Sequence, residues 1–261
     1  MSAALRIKSV YATYRKKEII RGISLSVRRG QAVALIGPNG AGKSTLLRVA
    51  AGFLRPTAGR VFLEGDNVTR LAPHDRARLG VGYLMQGGPV FASLTIGENL
   101  RMAAPDLRPS QLAEALAGIE ELISPRMLDV RAGTLSGGLR QCLAIAMVLA
   151  RRPPVLLLDE PSAGLSPALM RDIFRVLDRH RQEHNAAVLL VEQNVQAALG
   201  LAQRAVALFD GKVVDETKRP ESWLSGQTLS SLFLGRAQGE FTQTVAAGAV
   251  RAPAHGDEPG R

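Results

Sequence analysis

The residues best suited to chemistry are Gly37-Pro38-Asn39-Gly40-Ala41-Gly42-Lys43-Ser44, with Thr45 next. They follow an apolar run, Ala32–Ile36, and open a segment with helical apolar spacing at Leu46, Leu47, Val49 and Ala50. A strand, a glycine-lined turn and a helix in that order aim backbone N–H groups and a helix N-terminus at one point, which suits a phosphate chain. Lys43 is predicted to reach the β- and γ-phosphates, and the Ser44 hydroxyl to ligate Mg2+. A second apolar run, Val155–Leu158, delivers Asp159 and Glu160 at its C-terminal end. Open α/β sheets bind their ligands at that edge. Asp159 is expected to hold Mg2+, directly or through water, and Glu160 to polarise an attacking water as general base.

The elements that must carry these residues can be read from periodicity. Ala32–Ile36, Val155–Leu158 and Ala187–Val191 are short and wholly apolar, as strands buried on both faces of a parallel sheet are. Val81–Met85 reads as another buried strand. Residues 5–14, 23–27 and 59–64 alternate with a period near two and read as half-exposed strands. Helical stretches separate the buried strands, so the fold class is α/β. Residues 96–152 carry no strong strand signal. They hold an apolar-periodic segment at 111–123 and a helix from about Gly137 to Arg152, stopped by Pro153-Pro154. Asp210-Gly211 predicts a hairpin between Val206–Phe209 and Lys212–Val214. From Gln238 on, small and polar residues predict a flexible tail.

Composition narrows the classes. The chain has 261 residues, 46% of them hydrophobic and 21% charged, which rules out wholesale disorder and leaves one large domain or two small ones. A net charge of +10 points to an anionic partner. A single cysteine, Cys142, excludes an intrachain disulfide framework and reads as a small core residue. No apolar run approaches the ~18 residues of a membrane span, and the N-terminus lacks the apolar core of a secretory signal. A soluble, cytoplasmic protein is expected, with spans supplied by other chains if it works at a membrane. His180 and His184 lie one helical turn apart and read as a solvated face.

Leu135-Ser136-Gly137-Gly138 stands upstream of Asp159 at a helix start, where Ser136 and the amides of Gly137 and Gly138 suit a γ-phosphate. A phosphate loop, a helical insert, Leu-Ser-Gly-Gly and an apolar strand ending in Asp-Glu together resemble the ATP-binding-cassette ATPases over about residues 5–235. The resemblance implies a P-loop NTPase (RecA-like) core at 1–86 and 153–235, with a small antiparallel β subdomain. It also implies an inserted α-helical signature subdomain at about 87–152, and leaves a tail at 236–261. Two cassettes would close head to tail over two ATP, each Ser136-Gly137-Gly138 meeting the nucleotide on the other subunit. Tyr14 would stack on adenine. Gln86 would approach Mg2+ and the attacking water, and Gln193 would stand beside the γ-phosphate. The loop Pro161–Pro167 would cross the dimer interface.

Two positions depart from the common pattern. Position 139 is Leu where the signature has Gln, with Arg140 and Gln141 the next polar side chains. Gln193 replaces the usual His, so it can hydrogen-bond a phosphate but cannot become cationic. Val191-Glu192-Gln193-Asn194, Glu160–Pro167 and Leu-Phe-Leu-Gly at 232–235 resemble the ATPase subunits of branched-chain amino acid importers. That branch implies a second ATPase subunit (identical or similar), transmembrane permeases, a periplasmic solute-binding protein, and a place on the cytoplasmic face of the inner membrane. Urea import and lipid or lipopolysaccharide export remain open alternatives. A nucleic-acid-associated cassette ATPase is a further alternative that the net charge of +10 favours, but nucleic acid is not expected as a partner, because the chain has one cassette, no long coiled-coil insertion and only 4% aromatic residues to stack bases.

Overall fold

In the computed structural model, which describes residues 3–14, 17–108, 110–111, 120 and 122–224, strands β1 (Ala3–Tyr14) and β2 (Lys17–Arg28) pair antiparallel. The alternation in β1 changes phase midway. Leu5 and Ile7 are buried, then Val10 and Ala12, because a register shift between Ile7 and Val10 inserts a residue and Ser9 takes φ 45. A bulge of this kind turns the same face inward on both sides of the slip. Strands β4 (Ala58–Leu63) and β5 (Asp66–Asn67) complete a four-stranded sheet in the order β2-β1-β4-β5.

The larger sheet has six strands. β3 (Ala32–Ile36), β6 (Val81–Leu84), β7 (Val155–Asp159), β8 (Ala187–Val191), β9 (Arg204–Phe209) and β10 (Lys212–Thr217) lie in the order β10-β9-β3-β8-β7-β6. All neighbours are parallel except β9 and β10, which form the hairpin at Asp210-Gly211. Every residue of β3, β7 and β8 is buried, as their composition predicts. β6 departs from the expectation of a buried strand. It ends at Leu84, pairs only with β7, and leaves Gly82 and Tyr83 half-buried, because it is the sheet's edge.

Two apolar layers sandwich this sheet. Val33 and Leu35 of β3 face the phosphate-loop helix α1 (Lys43–Ala51) and the smaller sheet. Ala32, Ala34 and Ile36 face the opposite layer. That layer holds α3 (Ile96–Ala103), α4 (Gly137–Leu149), α5 (Pro167–Glu183) and α6 (Val195–Leu201). A short helix α2 (Pro73–Arg78) lies beside β6. α4 stops at Leu149, before the expected Arg152, which turns away at φ 49 ahead of the two prolines. Cys142 is fully buried in α4, and burial chiefly pushes its thiol up to about 11. Trp223 closes a 3-10 turn at Pro220–Trp223 and is also core. Most of the segment at 111–123, the Leu-Phe-Leu-Gly of 232–235 and the tail from Gln238 lie outside the described residues. Among the described residues no helix is long and apolar enough to cross a membrane.

Candidate active site

β3 ends at Ile36 and the chain turns through the glycine loop into α1. Gly40 and Gly42 take φ 84 and 99, a region that disfavours any side chain. The loop is braced from a distant hairpin: Gly211 N donates to Ala41 O at 3.1 Å, and Arg21 N donates to Gly211 O at 2.8 Å. A Cβ on Gly211 would meet Ile19 O at 2.2 Å, and one on Gly37 would meet Leu208 O at 2.3 Å. Backbone packed this closely leaves the loop one shape.

Lys43 is largely buried and its Nζ donates back to Gly37 O (2.7 Å) and Pro38 O (2.9 Å). Burial lowers its pKa, and the carboxylates of Glu160 and Asp159 pull the other way. Ser44 Oγ donates to Asp159 Oδ1 at 2.8 Å. Asp159 is 1% exposed, and its Oδ2 has no hydrogen-bond partner. Burial, reinforced by the charge of Glu160, raises its carboxyl pKa against the Ser44 hydrogen bond. A buried carboxylate oxygen without a donor, next to a hydroxyl, is a set of hard oxygen ligands, and it fits Mg2+. Among the described residues no group of three or more His, Cys, Asp or Glu lies together so as to hold a metal ion.

Glu160 follows β7 in a left-handed conformation, φ 54. Its N–H still extends the parallel ladder, donating to Val191 O at 2.9 Å. That bond holds a backbone that costs about 1–3 kcal/mol in a non-glycine residue. The conformation carries the carboxylate into the cavity, where both oxygens are engaged by side-chain amides. Gln86 Nε2 donates to Oε2 at 2.9 Å and Gln193 Nε2 to Oε1 at 3.0 Å.

These groups share one cavity of ≈390 Å³, into which Asn39, Gly40, Gly42, Lys43, Ser44 and Thr45 also open. Tyr14 stands at its rim, 49% exposed. Gly37, Pro38 and Ala41 shape the loop without lining the cavity, and Asp159 lies behind Ser44. Ser136, Gly137 and Gly138 do not enter it. They begin α4, with Ser136 and Gly137 exposed and Ser136 Oγ accepting from Leu139 N at 3.3 Å. A larger cavity of ≈490 Å³ between α5 and α6 contains none of the phosphate-loop residues.

Several residues escaped the sequence reading. Arg48 lines the cavity; its position one helical turn after Ser44 was the available signal. Gln141 is not a surface substitute for the missing signature glutamine. It is buried, and its Nε2 donates to Pro161 O at 3.0 Å, because its position on α4 faces inward. Glu192 is buried against the ends of β7 and β8. His180 is buried too, not solvated, with Nε2 3.1 Å from Pro153 O.

The chain matches the ABC transporter family over residues 20–163, more than half its length. It is 41% identical over 213 residues to the probable branched-chain amino acid transport ATP-binding protein LivF of Archaeoglobus fulgidus, covering 80% of this chain and 89% of that one. It is 36% identical over 239 residues to the lipopolysaccharide export ATP-binding protein LptB of Acidithiobacillus ferridurans, covering 90% and 98%. A solved cassette dimer in a post-hydrolysis state with ADP and phosphate superposes with a TM-score of 0.74 at 26% identity, covering 82% and 98%. With the phosphate loop and carboxylate strand in a two-sheet α/β core, the chain belongs to the ABC transporter family, as an ATP-hydrolysing cassette.

Proposed function

We propose that this cassette drives import of branched-chain amino acids or related small solutes by hydrolysing Mg·ATP between two subunits, with Glu160 as the base. The catalytic reading is carried by the Glu160 carboxylate, which faces the cavity of Lys43 and Ser44 with one amide on each oxygen. Asn39, Gly40, Gly42 and Thr45 cradle the phosphates, in a loop shaped by Gly37, Pro38 and Ala41, and Tyr14 stacks on adenine. Lys43 exchanges its two carbonyl acceptors for phosphate oxygens. Ser44 and Asp159, with Gln86 alongside, would hold Mg2+, which when bound spreads charge across the β- and γ-phosphates. Glu160 orients water for in-line attack and Gln193 donates to a γ-phosphate oxygen. Ser136, Gly137 and Gly138 hold the γ-phosphate on the second cassette, identical or similar. Its loss releases the seam.

The cassette works on the cytoplasmic face of the inner membrane. It comprises a core at 1–86 and 153–235 with the helical insert between, and a tail from 236. Permease loops dock between Gln86 and Leu100, where Phe91 is 51% exposed, beside an apolar hollow of ≈450 Å³ lined by Phe53, Ala77, Tyr83 and Met85. A periplasmic binding protein delivers the cargo. The likeness to LivF and the segments 160–167 and 191–194 support amino acid import. The likeness to LptB over 98% of that protein supports lipopolysaccharide export as a second reading.

Glu160→Gln tests the chemistry. It should keep ATP binding, lose about a hundredfold or more in hydrolysis, and persist as a closed dimer; hydrolysis at the parental rate overturns the assignment. In cells carrying that variant, lost uptake of labelled leucine supports import. Intact uptake with a lipopolysaccharide defect favours export.

A further inference from the structure

Glu192 directly follows β8 and is 4% exposed. Its partners are backbone amides from two different loops. Oε1 accepts from Ser162 N at 2.7 Å, two residues beyond the base Glu160. Oε2 accepts from Gln193 N at 3.0 Å and Asn194 N at 3.4 Å, in the switch segment. Gln193 then reaches back, its side-chain amide 3.0 Å from Glu160 Oε1. The contacts close a ring: Glu160, its own loop to Ser162, the Glu192 carboxylate, Gln193, and Glu160 again. A buried carboxylate is tolerable only where several donors stabilise its charge. These three donors belong to the two segments whose relative position sets the base against Gln193.

We infer that Glu192 is a positioning residue: its carboxylate ties the switch segment to the loop behind the base, and so fixes where Gln193 presents its amide. The inference rests on the reading of Glu160 as the base. It applies with particular force to this chain because an amide at 193 is neutral and depends on aim alone. Glu192→Gln keeps the shape but offers one acceptor oxygen and one NH2, so one loop loses its partner. Glu192→Asp keeps the charge but is one methylene too short to hold both loops.

The test is a double-mutant cycle in the full chain, combining Glu192→Gln with Gln193→Ala, read by kcat, KM for ATP and melting temperature. Glu192→Gln should lower kcat about tenfold, the scale of a lost hydrogen bond to a charged group, with KM kept within about twofold. Glu192→Asp should behave alike. In the Gln193→Ala background the same Glu192→Gln change should alter kcat by less than about twofold, because the group it aims is gone. An equal loss in both backgrounds overturns the inference. So does a pair of Glu192 variants that no longer fold, which would make the residue one of stability alone. Glu160→Gln in the same series separates the two readings: residual hydrolysis at the parental rate removes the base, while the coupling between 192 and 193 is still measured.

Discussion

Gln86 Nε2 donates to Glu160 Oε2 at 2.9 Å, joining residues 74 apart in the chain. Gln86 lies two residues beyond β6, the edge of the six-stranded sheet, while Glu160 directly follows the neighbouring strand β7. The proposed base is therefore in contact with the segment that leaves the sheet toward the proposed permease face. Gln86→Ala should lower kcat about tenfold, with a smaller effect on ATP affinity because the phosphate loop is untouched. Equal kcat in the two proteins would show that the contact does not serve the reaction.

Gln193 has no proton to lose near neutrality. Gln193→His should add an ionisation near the imidazole's usual value of about 6.5. The cationic form is the stronger donor to Glu160 and phosphate, so kcat of the variant should fall as pH rises through that value relative to the parent. Superimposable pH profiles would contradict this.

Asp159 has one oxygen on Ser44 Oγ and one without a protein donor. Asp159→Asn removes the charge from that site. Titration of hydrolysis with Mg2+ should show a half-saturation raised about tenfold or more. Ser44→Ala should shift it in the same direction.

Much of this site was legible because its chemistry is local. The phosphate loop occupies consecutive residues, and Asp159-Glu160 end a run whose composition announces burial on both faces. What escaped depends on which strands become neighbours. Glu192 was legible as part of the segment 191–194 but its partner was not; only the pairing of β7 with β8 brings Ser162 N to it. Val81–Met85 looked buried because local composition does not say which strand ends a sheet. Gln141 and His180 are polar residues on helices, and inward-facing backbone carbonyls at Pro161 and Pro153 account for their burial.

Arg76 is fully buried beneath the phosphate-loop helix. Its guanidinium donates to Val49 O and Ala50 O, each at 2.7 Å, and to Thr69 O at 3.1 Å, satisfying carbonyls at the C-terminal end of α1. Burial pulls its pKa down to about 10, which leaves it charged at neutral pH. Arg76→Met should cost about 2–4 kcal/mol, because Ala50 O and Thr69 O lose the guanidinium donor and Val49 O keeps only the Gly52 N–H. Urea unfolding midpoints measure it.

His180 provides a pH signature of stability. Burial lowers its pKa to about 4, assisted by His184 and Arg152 and opposed by the bond to Pro153 O. Between about 6.5 and that value the unfolded chain binds a proton that the folded chain refuses. Its contribution is thus complete above about 6.5 and drains away as pH falls toward 4, by at most about 1.4 kcal/mol per pH unit. His180→Gln should flatten the stability curve over that window relative to the parent.

The bond from Gly211 N to Ala41 O also orders events during synthesis. Residues 37–44 leave the ribosome before β8 and β9, which flank β3, and the hairpin under the loop, made some 150 residues later. A nascent chain carries the nucleotide motif long before it has a finished pocket. The backbone support beneath the nucleotide loop is thus complete only after the turn at 211 has been made.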